Sequence, residues 1–313
     1  MARRRRRKGL RKAPIFVVIL LLLAAAAFML YTHGEEWFGI PFFKTEQEQQ
    51  PGDEVQFHFI DVGQGDAILI TTPEGNMLID SGDLSPDSQK KLDSYLKSQN
   101  IDAFEVVVFT HTDADHIGSG DIVINSYDVK TVIMPDYQAT TKVYNRLVNA
   151  IEKHNVDLVL IGEDEDCEKP GYTFKLGPIT HTVMAPTKDF DDPNEMSVVI
   201  KSVYGETSVL LTGDAEIKSE KAMLLEYTNG ELDVDILKAG HHGSSSSTSH
   251  SFMTATSPEI TIISCGEGNS YGHPQKVVMD RLEKAEITVY RTDLQGTIIV
   301  KTDGVTYSVE TKK

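Results

Sequence analysis

Hydrophobic and polar positions alternate with a period of two in Val55-Gln56-Phe57-His58-Phe59, the pattern of a strand with one face buried. Two further apolar runs, Ala67-Ile68-Leu69-Ile70 and Met77-Leu78-Ile79-Asp80, flank a Pro-Glu-Gly-Asn turn and predict an antiparallel pair. Beyond them the period lengthens. Leu92, Tyr95 and Leu96 share one face of a helix over 86–99, and Val143, Leu147, Val148 and Ile151 share one over 141–154. Between these helices, Val106-Val107-Val108-Phe109 is apolar throughout, as in a buried strand. Strands are predicted near 156–161, 172–176, 179–185, 197–203 and 207–212, then a helix over 216–228 and a strand over 233–238. A strand at 260–264, a helix over 274–285 and strands at 296–302 and 305–310 close the chain. Early hairpins followed by alternating units predict a mixed α/β domain whose sheets are covered by helices.

The first 53 residues follow a different pattern. Residues 1–12 carry eight Lys or Arg and no acid, and residues 13–31 then run nineteen positions without a charge. As a helix this stretch would be about 28 Å long, roughly the hydrocarbon thickness of a bilayer. The basic flank predicts a cytoplasmic N-terminus, with residues 32–313 on the far side of a cell membrane. A signal anchor keeps such a segment, whereas a signal peptide is cleaved, here near Ala24-Ala25-Ala26-Ala27 with a secreted product. The length of the apolar stretch favours the anchor. The chain is thus read as a basic segment (1–12), a transmembrane helix (13–31), a Gln/Glu-rich linker (32–53) and one large domain (54–313), with the lipid bilayer as a partner.

Net charge is −17, and residues 1–12 contribute +8, so the remainder carries −25. That argues against a broad basic surface for nucleic acid. A phosphate-bearing substrate would rely on metal ions and on local groups. The two cysteines, Cys167 and Cys265, allow at most one disulfide.

Candidate chemistry concentrates in His111-Thr112-Asp113-Ala114-Asp115-His116, directly after the 106–109 run. Open sheets present ligand-binding side chains at the ends of buried strands. Neutral imidazole and carboxylate both suit zinc and its first-row neighbours, so the cluster predicts a metal site. Similar groups recur downstream in Leu210-Leu211-Thr212-Gly213-Asp214 and Lys238-Ala239-Gly240-His241-His242-Gly243-Ser244.

Together with Asp80 in Leu78-Ile79-Asp80-Ser81-Gly82, these segments resemble the ordered motifs of the metallo-β-lactamase superfamily. With Phe59 to Asp66 and Gly272-His273-Pro274 added, the chain is similar to the metallo-hydrolase domain of the ComEC competence family over about residues 54–310. The resemblance implies a four-layer αββα sandwich with a metal site at one edge, between two sheets. It implies His111, Asp113, Asp115, His116, Asp214 and His241 as ligands of one or two divalent ions, zinc or manganese. His111 and Asp113 would serve one ion, and Asp115 and His116 the other. Asp214 would bridge them, and His241 or His242 would complete the second site. Asp113 stands where a histidine is usual, and the usual third-motif histidine has no counterpart near Asn194 and Ser197. One site is therefore oxygen-rich and short of protein ligands, which is readable as manganese rather than zinc, a water-filled position or use of a single metal. Asp80 is expected to orient a ligand histidine, and His181 to be structural.

Asp115, His242 and His273 are the catalytic candidates. His273 is equally readable as a last ligand, an acid or a loop residue. Ser244, Ser245, Asn194 and Ser197 are the substrate-binding candidates; the run from Ser244 to Ser249 is readable either as hydroxyls and N–H groups at a helix start or as a flexible polar loop. A metal-activated hydroxide then predicts a membrane-anchored extracytoplasmic hydrolase, first of phosphodiesters, nucleic acid among them in a competence-related role. The alternatives are a hydrolase of lactams, lactones or thioesters, and a metal-binding module of an envelope assembly without catalysis.

Overall fold

Strand β1 (Val55–Phe59) puts the period-two pattern to use. Phe57 and Phe59 point into one core, while His58 turns to the opposite face and meets the Tyr95 hydroxyl through Nδ1 (2.9 Å). The computed structural model describes residues 54–228 and 230–313. The basic segment, the expected membrane helix and the linker lie outside the described residues. Among the described residues no helix is long and apolar enough to cross a membrane.

β2 (Ile68–Thr72) and β3 (Gly75–Ile79) form the predicted hairpin, with Ile70 opposite Met77. The helix Pro86–Ser98 follows, its start fixed by Ser85, whose Oγ accepts from the Ser88 N–H (3.3 Å), and by proline in the first turn. β4 (Ala103–Val108), β5 (Asp128–Pro135) and β6 (Asp157–Ile161) then add in parallel beside β3. Short helices Ala114–Ile117 and Gly120–Ser126 lie between β4 and β5, and Lys142–His154 lies between β5 and β6. The chain next builds β7 (Thr173–Leu176), β8 (Ile179–Ala185), β9 (Val199–Tyr204) and β10 (Thr207–Leu211) as an antiparallel meander. β11 (Ile236–Lys238), β12 (Ile260–Ile263) and β13 (Thr288–Arg291) extend it in parallel. Their connections carry helices Ile217–Glu226, His250–Thr256 and Lys276–Lys284. β14 (Thr297–Thr302) and β15 (Tyr307–Lys312) return to the first sheet beside β1.

Two sheets result, in the orders β15-β14-β1-β2-β3-β4-β5-β6 and β13-β12-β11-β10-β9-β8-β7. Alternate residues of each strand enter different cores. Ile68, Ile70, Met77 and Ile79 pack with Val183, Ile200, Val209, Leu211 and Ile236 between the sheets. Leu69, Leu78 and Val107 face outward onto Leu92, Leu96, Leu147 and Ile151 of the helices. On the far side Leu210 and Leu237 meet Met223 and Phe252, and Ile263 meets Val278 and Leu282. The order is helix, sheet, sheet, helix, the expected αββα arrangement. Each buried Phe or Leu contributes about 1.5–3 kcal/mol by leaving water.

Several elements depart from the sequence reading. β5, β13 and the helices Gly120–Ser126 and His250–Thr256 had no assigned pattern. β5 opens on polar residues, with Lys130 reaching Glu105 of β4 (2.7 Å), and its pairing on both sides supplies what its short apolar run does not. The strand expected at 233–238 begins only at Ile236, because the Asp235 carboxylate accepts from the Ser208 N–H and hydroxyl (2.6 and 2.7 Å) and fixes a turn. Cys167 and Cys265 are both free thiols, one half-buried and one buried, so the disulfide that two cysteines allowed is absent.

His181 is a buried residue of β8, with Nδ1 against the Ser202 hydroxyl (2.8 Å) and its ring stacked on Phe174 (4.9 Å between centroids). Burial holds His181 down to about 3, and burial with Lys312 and Lys301 holds His58 down to about 4, against 6.5 for a free imidazole. Below 6.5 the unfolded chain takes protons that the folded chain refuses, so stability falls as the pH drops from 6.5 toward about 4 and levels off below the folded values. His181→Leu is expected to make the unfolding free energy less steep in pH over that window, by roughly one proton, as measured by urea denaturation. An unchanged slope would contradict a neutral buried His181.

Candidate metal centre

Parallel pairing of β3 with β4 brings two strand ends to one edge. Asp80 follows β3 in a left-handed conformation (φ 60), and Thr110 and His111 follow β4. Asp80 is fully buried. Its Oδ1 accepts from the Thr110 N–H (2.7 Å), and its Oδ2 accepts from the Thr110 hydroxyl (2.7 Å) and from His116 Nδ1 (2.7 Å). A carboxylate only accepts, so His116 carries a proton on Nδ1 and presents Nε2 as a lone pair.

The second sheet supplies the other half. β10, β11 and β12 are parallel neighbours, and their ends lead to Asp214, to His241-His242 and to Ser264. His242 Nδ1 donates to the Ser264 carbonyl (2.9 Å), which again leaves Nε2 as the free lone pair. The two Nε2 atoms face each other at 3.3 Å. Asp214 Oδ1 lies 3.2 Å from His116 Nε2, its Oδ2 lies 3.5 Å from His242 Nε2, and Asp115 Oδ2 lies 3.3 Å from His242 Nε2. Donor atoms of Asp66, His116, Asp214 and His242 all fall within 4.8 Å of one another. His111 Nε2 and Asp214 Oδ1 are buried without a hydrogen-bond partner, and His111 Nε2 is 4.0 Å from Asp214 Oδ2. Imidazole and carboxylate donors that converge in a buried site are what a cation requires, so the residues fit a divalent metal.

Two close backbone approaches shape the centre. Gly65 (φ +114) lies where a Cβ would strike the Asp115 carbonyl at 2.1 Å, and the neighbouring Asp66 N–H bonds that carbonyl (3.2 Å). Gly213 (φ +51), just before Asp214, packs on the Thr110 side chain, 2.8 Å from where a Cβ would sit. Asp66 sits with Oδ1 3.4 Å from His242 Nδ1 and Oδ2 2.5 Å from Lys238 Nζ.

The electrostatics follow. Burial pulls the His116 imidazolium down, but Asp214 and Asp80 outweigh it and hold His116 well above its ordinary value. Burial opposes His242 too, and Asp214, Asp115 and Asp66 push it up to about 10. Asp214 is raised by burial and pulled well below the carboxylate range by His116 and His242. Without a cation, protons on the histidines balance the carboxylates.

The remaining sequence candidates lie around this core. His242, assigned a catalytic role on sequence, supplies the Nε2 in the group of four. His241, assigned as a ligand, stands beside it with Nδ1 on Glu216 Oε1 (2.8 Å) and Nε2 3.7 Å from Asp214 Oδ2. Asp113 precedes the helix Ala114–Ile117 without a side-chain capping bond, half-buried and outside the group of four. His273 stacks on exposed Tyr271 and meets the His241 ring edge-on (5.5 Å), with its N–H and carbonyl both held by the Asn269 side chain. Ser197 is buried behind Asp214 and accepts from its N–H (3.1 Å), and Asn194 bonds Glu216. The serine run ends at a helix start, but Ser244 and Ser245 lie before it rather than in its first turn. The helix begins at His250, capped by Ser249, while Ser246 bonds Glu216 (2.7 Å), Ser244 bonds Ser246 (2.9 Å), and the Ser245 N–H is taken by Gln275 (3.2 Å). These serines brace the His241-His242 turn. Asp66, Lys238 and Glu216 went unassigned on sequence. The Gly-x-Gly before Asp66 was a usable signal, whereas a lone Lys at a strand end carries none.

The profile of the metallo-beta-lactamase superfamily matches residues 60–267, from the loop before Asp66 to just past the Ser264 carbonyl that fixes His242. The chain belongs to the metallo-beta-lactamase superfamily. Within it, the chain is 30% identical over 262 residues to ComE operon protein 3 of Bacillus subtilis (strain 168), covering 78% of this chain and 33% of that protein. It is 29% identical over 258 residues to Competence protein ComA of Neisseria gonorrhoeae, covering 82% and 34%. These are competence proteins of the ComEC family, as the motifs indicated, and the chain spans about a third of their length. A solved structure from Parabacteroides distasonis, described as a metal-dependent hydrolase, is similar at 16% identity and a TM-score of 0.47, covering 81% of this chain and 97% of that one.

Two outcomes are expected of this member of the metallo-beta-lactamase superfamily. His242 is protonated in the cation-free centre up to about pH 10, so a cation that takes Nε2 must displace that proton. Affinity should therefore rise with pH across the neutral range, and calorimetric heats in buffers of different ionisation enthalpy should report proton release. Binding without proton release would contradict the assignment of His242. Separately, His242→Ala is expected to weaken cation binding by about 100-fold or more and His241→Ala by much less, as read by competition with a chromophoric chelator. The reverse order would make His241 the ligand.

Proposed function

We propose that this domain is a metal-dependent phosphodiesterase acting on nucleic-acid strands. We further propose that residues 13–31 anchor it at the outer face of a cell membrane, with residues 1–12 in the cytoplasm. The observation that carries the reaction class is a histidine–carboxylate pair, His241 on Glu216 at 2.8 Å, at the open side of an oxygen-rich cradle for a cation. A divalent cation held in that cradle would supply Lewis acidity toward a phosphoryl oxygen and bring water toward ionisation at neutral pH. Everything else falls to the chain's own residues. His116 and His242 offer Nε2, held in place by Asp80 and by the Ser264 carbonyl. Asp214 and Asp115 supply oxygen donors beside them. Burial opposes charge on His241, but Glu216 on Nδ1 and Asp214 near Nε2 raise its pKa, so the imidazolium can carry a proton on Nε2 for the oxygen that departs from phosphorus. His241 is a quarter exposed, so a substrate can reach it. The carboxylate oxygens of Asp214 and Asp115 are hard donors, which suit manganese and phosphate oxygens better than a soft site would. The competence role named for ComA supports nucleic acid as the substrate class. The charge of −25 on residues 13–313 keeps nucleic-acid contacts local to the centre.

The test is turnover by the purified protein, with Mn²⁺ or Zn²⁺, of single-stranded DNA, a nitrophenyl phosphodiester and a β-lactam. Cation-dependent cleavage of both phosphodiesters is expected. His241→Asn should lower kcat about 10²–10⁴-fold on DNA, whose leaving alkoxide needs a proton, and far less on the nitrophenyl ester, whose leaving group does not. Turnover of the β-lactam alone would favour carbonyl chemistry. Bound cation with no turnover of any substrate would favour a non-catalytic module.

A further inference from the structure

Lys238 ends β11 fully buried, in the second half of the metal centre. Its Nζ lies 2.5 Å from Asp66 Oδ2 and 3.8 Å from Asp214 Oδ1, and it donates to the Gly213 carbonyl (2.8 Å). Asp66 and Asp214 are also two of the four residues whose donor atoms converge on the cation position. The ammonium and a divalent cation therefore draw on the same two carboxylates. We propose that Lys238 is a built-in counter-cation that keeps Asp66 out of the cation's ligand set and thereby limits how tightly the centre holds metal. The inference rests on the metal reading of the centre and deepens it.

The geometry gives Lys238 a role distinct from a fold pin. A pin between Gly213 and Asp66 would hold the turn that carries Asp214, and its loss would loosen that turn and weaken metal binding. A counter-cation works in the opposite sense. Its loss leaves a buried carboxylate unpaired beside the cation, and an unpaired buried charge draws in whatever opposite charge is nearest. Removing Asp66 instead leaves the ammonium with Asp214 as its nearest carboxylate, which sets Lys238 against the cation for a ligand both would use.

The test measures Mn²⁺ and Zn²⁺ affinity by chelator competition and bound equivalents by elemental analysis, on wild type, Lys238→Met, Asp66→Asn and the double variant. Lys238→Met keeps the length of the side chain and drops its charge. It is expected to bind the cation about tenfold tighter or more, or to hold one further equivalent. Asp66→Asn is expected to bind about tenfold more weakly, and the double variant to return to within a few-fold of wild type. Thermal melting with and without cation controls for folding, and Lys238→Met should show the larger cation-induced rise. If Lys238→Met does not fold, the weakening in Asp66→Asn carries the test alone, and unchanged or tighter binding there overturns the proposal. Weaker binding by a folded Lys238→Met makes Lys238 a structural pin, which overturns the inference and leaves the metal reading standing. Wild type that binds no cation overturns both.

Discussion

Two imidazole nitrogens face each other at 3.3 Å, and the rest of the centre follows from that contact. Each ring has already given its Nδ1 proton to a group that can only accept, the Asp80 carboxylate for His116 and the Ser264 carbonyl for His242. Each Nε2 is then a lone pair in a buried site. Two lone pairs this close, with Asp214 and Asp115 oxygens beside them, are tolerated only with positive charge in their midst. Protons supply it when no cation is bound, which is why both histidines are held above the ordinary imidazole range despite burial.

The fold exists to bring these pieces to one edge. His116 and Asp80 come from the ends of parallel strands in the first sheet, and Asp214, His242 and Ser264 from the ends of parallel strands in the second. The apolar seam between the sheets, from Phe57 and Ile70 to Ile200 and Val209, fixes their separation. A change in that seam would shift donors from opposite sheets relative to one another, so packing far from the centre bears on its geometry.

Much of this was legible in the sequence because local pattern encodes it. Period-two alternation announced β1, the apolar run announced β4, and a His/Asp cluster at a strand end announced the centre. Asp80 was read as an orienting residue, and the structure puts its carboxylate on His116 Nδ1. What stayed hidden depends on contacts between distant segments. The choice between His241 and His242 turns on which ring the Ser264 carbonyl can reach, 22 residues later in the chain. Lys238 pairs with a carboxylate far earlier in the chain, and β5 is a strand largely because β4 and β6 flank it. The serine run does lead into a helix, capped by Ser249, but Ser244 and Ser246 bond each other and Ser246 bonds Glu216, contacts that local pattern does not announce.

A divalent cation is expected among His116, His242 and Asp214. Anomalous diffraction from crystals of the protein grown with Mn²⁺, collected on both sides of the manganese edge, tests it most directly. The expected result is a peak within coordination distance of both Nε2 atoms and of an Asp214 carboxylate oxygen. Manganese found only on surface carboxylates, with the two imidazoles still facing each other across an ion-free gap, would contradict it.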